Sequence, residues 1–386
     1  MMASVAAVAR DGGVGAEGRT SSRIEILDAL RGVAALLVVF QHIAEGIIKM
    51  HTLPPAWEHA GRLVFGDTFN FGRFGVALFF LLSGFVIPFS FRTDRPLRGF
   101  VVSRVFRLYP AYWLSLGFAL LMLHTIGAQG PTALTIVANL TMIQKYVGQP
   151  DVVAAYWTLA TELAFYAMAA GLVAAGRLRT PMVLGSGVGG LLAVALLLAL
   201  ASPLLGRRLP ADLPLHLALM LLGTLLRLAI LEGDKVARRL AQELVVAFLV
   251  VMTIVQFVTL PPGDADGFMH PLAPTLGYVG ALFVFVAFAG RPSGFGRVAT
   301  WLGAVSYSIY LFHGTIVMAL EPMLVRGRPG LALAYAVLVL GATLLVAAIV
   351  YRCVERPMIR LGHRVMGSSP RANPRRALPV IAPPSP

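Results

Sequence analysis

Residues 27–46 read LDALRGVAALLVVFQHIAEG. Twenty helical residues rise about 30 Å, the thickness of the hydrocarbon core of a bilayer. The apolar run is continuous and not alternating, so its backbone groups must pair within the segment, as in a helix rather than a barrel strand. Similar runs recur near residues 73–91, 109–127, 155–175, 182–201, 213–231, 241–259, 273–290, 302–323 and 331–352. The chain therefore reads as an all-α polytopic membrane bundle of about ten transmembrane helices. The apolar stretch from Thr132 to Tyr146 is too short to cross and reads as a re-entrant or interfacial helix.

Composition agrees. Of 386 residues, 58% are hydrophobic and 13% charged, with a mean hydropathy of +0.78. Soluble domains carry roughly 25% charged residues, so disordered, fibrous and ordinary soluble classes are excluded. The net charge of +14 could suggest nucleic acid. However, most Lys and Arg fall in alternate connections, which places both termini in the cytoplasm by the positive-inside rule and makes a nucleic-acid partner unnecessary. The lone Cys353 excludes an intramolecular disulfide, and no His or Cys spacing calls for a metal. Residues 1–22 read as a disordered cytoplasmic arm, 23–361 as the membrane domain, and 362–386 as a disordered, basic, Pro-rich tail. Neither end leaves room for a second folded domain. The expected location is the cell (inner) membrane, in multi-pass form.

Ionisable groups inside a span are costly and point to function. On the first span, Arg31 and His42 lie eleven residues apart, which returns them to within roughly 20° of one face and about 16 Å along the axis. Asp28 precedes Arg31 by a turn and Glu45 follows His42 by a turn, so one stripe carries acid, base, imidazole and acid. The bland alternative is an interfacial Asp28–Arg31 pair with His42 reaching outward. The loop after the second span holds five arginines from Arg92 to Arg107, with Arg104 and Arg107 one turn apart. That spacing suits a phosphate or pyrophosphate, or simple anchoring beside anionic lipid. The fourth span places Glu162 and Tyr166 at i and i+4, with Trp157 just before them. The ninth carries Ser306, Tyr310 and His313 on one stripe, and Glu355–Arg356–Pro357 closes the tenth.

Together these elements resemble the acyltransferase-3 family of integral membrane acyltransferases. The resemblance rests on the R-x10-H from Arg31 to His42, the FFLLSGF around Ser83, and the RVFRLYP that includes Arg104, Arg107 and Tyr109. It rests also on the Trp157, Glu162, Tyr166 series, the SYSIYLFH from Ser306 to His313, and the closing Glu355–Arg356–Pro357. Ala29 stands where the family often has Gly. No hydrolase-like domain follows the last motif, so the chain is expected to act alone or with a separate extracytoplasmic transferase.

The resemblance implies acyl-CoA, most often acetyl-CoA, as a co-substrate and not a permanent cofactor. Its phosphates would meet Arg104 and Arg107, with Tyr109 beside them. His42 would take the proton of the acceptor hydroxyl. Glu162 would be catalytic, or would only pair with an arginine elsewhere in the bundle. Arg31 would serve either the donor or the developing oxyanion. A covalent acyl-histidine and direct transfer both fit. Asp28, Glu45, Ser83, Trp157, Tyr166, Ser306, Tyr310, His313, Glu355 and Arg356 would support substrate or structure. The expected acceptor is a carbohydrate hydroxyl, on a cell-surface polysaccharide or lipid-linked glycan. The segment from Lys49 to Arg73, with Trp57 and His59, offers aromatic faces for it. The rival readings are a proton-coupled transporter or glycan flippase, and an acyltransferase for a small molecule such as a macrolide.

Overall fold

The computed structural model of the chain describes residues 5–91, 96–260, 269–290 and 296–366, with side chains from residue 25 onward. Among the described residues there are helices and no strand. The first, α1 (Val5–Lys49), begins inside the expected arm, and its apolar part is Glu25–Lys49. A short α2 (Pro55–Arg62) leads through a wide turn into α3 (Phe71–Val86). Then come α4 (Pro96–Thr125), α5 (Ala133–Leu140), α6 (Trp157–Ala174), α7 (Pro181–Leu204) and α8 (Asp212–Leu231). The set closes with α9 (Lys235–Thr259), α10 (Leu272–Phe288), α11 (Arg297–Leu320), α12 (Pro329–Val350) and α13 (Arg356–Val365).

Nine of the described helical stretches are long and apolar enough to cross a membrane, and α8 is the most enclosed of them. The tenth expected span is α10, with 17 residues, or about 25 Å of helix. Its crossing follows from the packing of α1 against α11. Gly303 sits against the Asp28 carbonyl, a Cβ on Gly32 would lie 2.7 Å from Leu302 Cβ, and His42 meets His313. The residue pairs advance together, so α1 and α11 run parallel. The six long helices between them would return the chain to the wrong end; α10 supplies the seventh crossing. Both α1 and α12 therefore have their Arg31-side ends at one end of the bundle, here the arginine end.

Close backbone approach holds these helices together, as expected where lipid tails leave no hydrophobic drive for association. A Cβ at Gly84 of α3 would collide with the Met220 carbonyl of α8, and one at Gly303 with Asp28. The expected re-entrant segment is α5, only eight residues long. Its last carbonyls have no helical partners and are capped from α4: Tyr112 donates to Asn139 O (2.6 Å), Trp113 to Leu140 O (2.9 Å) and Tyr109 to Thr141 O (3.0 Å).

The basic loop expected after the second span is shorter than the sequence suggested. From Pro96 onward it is already α4, so Arg98, Arg104 and Arg107 stand on the opening turns of a long helix. Arg92 and Arg95 lie outside the described residues.

Candidate active site

One cleft of about 770 Å³, its open mouth included, lies in the bundle with arginines on its lining. Arg31 of α1, Arg104 and Arg107 of α4, Ser83 of α3, Glu162 and Tyr166 of α6, and Ser306 and Tyr310 of α11 all line it. Eight residues singled out from five separate stretches of sequence thus converge on one wall. The helical periodicity explains the α3 side: Val76, Phe79, Phe80, Ser83, Val86 and Ile87 share one face of that helix. That face extends over eleven residues, about 16 Å.

A continuous polar chain crosses the floor. Ser83 donates to Glu162 Oε1 (3.1 Å), Tyr166 donates to the same oxygen, and Arg104 Nη1 donates to the Tyr166 hydroxyl (3.5 Å). Arg104 also donates to Ser90, and its guanidinium lies over the rings of Tyr166 (5.0 Å) and Phe100 (5.2 Å). Its Nε is buried with no partner. Arg104 is thereby fixed in direction with three of its five N–H donors unspent, and a fixed guanidinium that lines a cleft suits an anion. Arg31 is paired only loosely, to Asp28 at 3.5 Å.

The imidazoles lie elsewhere. His42 does not line the cleft; it faces His313 across the α1–α11 seam, with ring centroids 5.1 Å apart. Tyr310 stands between the two regions: it lines the cleft, and its ring is 5.6 Å from that of His313. The Tyr310 hydroxyl accepts from Thr158 (2.8 Å) and donates to Ala155 O (3.2 Å), which pins the ring against α6. Gly75 on α3 packs against Ala34 and Val38 of α1, so the far end of the cleft reaches the level of Val38, one turn short of His42.

Several expected site residues stand outside this wall. Tyr109 is turned to α5, where its hydroxyl caps Thr141 O. Glu45 accepts from Gln41 (2.8 Å), which in turn holds the α3 entry through the Phe71 amide (3.0 Å). Trp157 belongs to a second cluster at the histidine end. There Arg73 lies 5.6 Å over its ring, His216 meets it in a tilted contact at 5.2 Å, and His216 Nε2 is 2.6 Å from the Tyr278 hydroxyl. Glu355 is buried and accepts from Ser308, joining the end of α12 to α11, while Arg356 is exposed. Trp57 on α2 is largely exposed, and His59 is exposed beside it. The cleft also recruits Tyr307, Phe79 and Thr158, which the sequence reading missed. Tyr307 directly follows Ser306 and donates to Leu108 O (2.9 Å); a face-by-face reading of α11 passes over it because it lies about 100° from Ser306.

Among the described residues the chain is thus a helical bundle of membrane-spanning type, with a cationic cleft and imidazoles beyond it. The chain belongs to the acyltransferase-3 family: the family's profile, described as an acyltransferase domain, matches residues 24–352. A curated relative, Acyltransferase MdmB of Streptomyces mycarofaciens, is 28% identical over 152 residues, covering 37% of this chain and 38% of the relative. The match thus spans well under half the length of that relative. No solved structure matches significantly.

Proposed function

We propose that this chain transfers an acyl group, most simply acetyl, from acyl-CoA to a carbohydrate hydroxyl across the inner membrane. The observation that carries the reading is the convergence of Arg31, Arg104 and Arg107 on one cleft that ends at Tyr310, a turn short of His42. The arginine end is taken as cytoplasmic, in keeping with the concentration of basic residues there.

The donor phosphates sit on Arg104 and Arg107, which line the cleft and supply charge-assisted hydrogen bonds through their guanidinium groups. The pantetheine arm runs along Val76, Phe79 and Phe80 and delivers the thioester to the Tyr310 end. Arg31 is about 16 Å from His42 along α1, too far to share an oxyanion with it, so its role is with the donor. His42 Nδ1 donates to Val38 O at 2.9 Å; a carbonyl only accepts, so Nδ1 holds the proton and Nε2 presents its lone pair. In transfer, the acceptor oxygen bonds to the acyl carbon, the carbon–sulfur bond breaks, His42 Nε2 takes the hydroxyl proton, and the departing CoA thiolate recovers it.

The test uses vesicles with the cytoplasmic face outward, prepared from cells making their native glycan and supplied with acetyl-labelled acetyl-CoA. Wild type is expected to label a lumenal or lipid-linked product, and His42→Ala to label none while remaining folded. Undiminished transfer by His42→Ala would remove the base assignment. No transfer by wild type across several acyl donors would favour the transporter or flippase reading instead.

A further inference from the structure

His313 has no task in the transfer as written, yet it is the most completely enclosed ionisable partner of His42. Its side chain is 1% exposed, and its Nδ1 donates to Tyr310 O at 2.7 Å. By the same reasoning as for His42, the proton is on Nδ1 and the lone pair on Nε2. That Nε2 is buried and has no hydrogen-bond partner. A buried, unsatisfied acceptor is destabilising, and such a group in a native site calls for an explanation.

The helix register supplies one. His42 lies ten residues beyond Gly32, and His313 ten residues beyond Gly303, the two glycines at which α1 and α11 come closest. Parallel helices joined at those glycines carry both imidazoles to the same level, about 15 Å further on, and the rings meet at 5.1 Å. Two neutral imidazoles, each spending its Nδ1 hydrogen on its own backbone, offer two lone pairs and no hydrogen between them. The pair is one proton short of a hydrogen bond.

We infer that His313 is a positioning residue that completes a two-imidazole proton acceptor: the proton taken by His42 Nε2 from the acceptor hydroxyl is shared with His313 Nε2 until the CoA thiolate takes it. This rests on the reading of His42 as the base. No oxidant or further reactant is needed, and the proton count is unchanged over the cycle. The other ionisable groups on the surrounding elements are engaged or uncharged: Glu45 with Gln41, Tyr310 with Thr158, Tyr156 with Ser115 (2.8 Å), Arg73 over Trp157, and the phenol of Tyr335 on α12.

His313→Asn keeps a donor for Tyr310 O and deletes the acceptor at the Nε2 position. In the vesicle assay it is expected to lower kcat about 10²-fold with the acetyl-CoA KM within twofold. The acid limb of its pH profile should move to lower pH, because His42 alone holds a proton less firmly than a pair that shares it. His313→Gln, which places a neutral acceptor near Nε2, should recover part of kcat. A structural residue would not move the acid limb; unchanged kcat and limb in a folded His313→Asn would overturn the pairing, even with His42→Ala inactive. Retained activity in His42→Ala would instead overturn the underlying base assignment. A second arm needs no turnover: in purified protein labelled with nitrogen-15 histidine, acid titration should place one proton across both rings, and His42→Ala should shift the His313 Nε2 resonance. A His313 resonance indifferent to His42→Ala would also overturn the pairing.

Discussion

Arg104, in the proposed donor site, is held in direction as well as in charge. Its charge alone could be supplied by lysine, but its direction could not. Ser90 and the Tyr166 hydroxyl take two of its five donors, and two aromatic faces hold the guanidinium plane, so the charge is presented to the cleft in one orientation. Lysine keeps the charge and loses the fork. Arg104→Lys is therefore expected to raise the acetyl-CoA KM about tenfold, equivalent to about 1.4 kcal/mol, with kcat changed less than threefold. Steady-state kinetics in vesicles decide it, and an unchanged KM would place the donor phosphates elsewhere. The sequence made the arginine pair legible, through its one-turn spacing, and likewise the Glu162–Tyr166 pair. It did not show that Ser83, 79 residues away, shares the Glu162 oxygen, because a contact between helices leaves no periodicity in either one. The supposed common stripe of Arg31 and His42 divides in space: the first serves the cleft and the second the α11 seam.

At the level of elements, the α1–α11 seam sets the relation between cleft and imidazoles. Gly303 allows α11 to lie directly on the Asp28 carbonyl, and every level above depends on that contact. Adding a methyl there forces the helices apart, a type of overpacking that costs about 1–3 kcal/mol. Gly303→Ala should lower the Tm of the detergent-purified protein and reduce acyl transfer more than in proportion to the folded fraction, since His42 and His313 separate as well. Gly341→Ala on α12, where an added Cβ meets nothing within 4 Å, is the control and should leave both unchanged or raise the Tm slightly through better helix propensity. Equal losses in the two variants would mean that the seam does not set the geometry. This feature was present in the sequence as a repeated spacing, Gly32 to His42 and Gly303 to His313. It went unread because hydrophobic periodicity describes which face of a helix is buried and is silent about which helix lies against it. Tyr109 was misleading for a related reason: adjacency to Arg107 in sequence turned it about 200° around α4, toward α5.

For the whole molecule, hydropathy located every crossing because lipid demands about 20 apolar residues whatever the packing. It placed the start of α4 too late, since Arg98, Arg104 and Arg107 depress a local average while the helix continues through them. Its span near 273–290 is α10, only 17 residues long, and the parallel course of α1 and α11 supports that crossing independently. The same parity puts the connection from α6 to α7 at the arginine end and that from α7 to α8 at the histidine end, with exposed Arg177 in the first and exposed Arg207 in the second. If the arginine end is cytoplasmic, as the proposed acyl-CoA donor requires, the two connections must differ in access from outside the cell. Cys353 is the sole native cysteine and is exposed, so replacing it with serine gives a clean background. In that background a membrane-impermeant maleimide added to intact cells with a permeable outer barrier should label Arg207→Cys and spare Arg177→Cys until the membrane is opened. Labelling of Arg177→Cys alone would invert the protein, put the arginine cleft on the side without acyl-CoA, and leave the proposed donor with no route to Arg104.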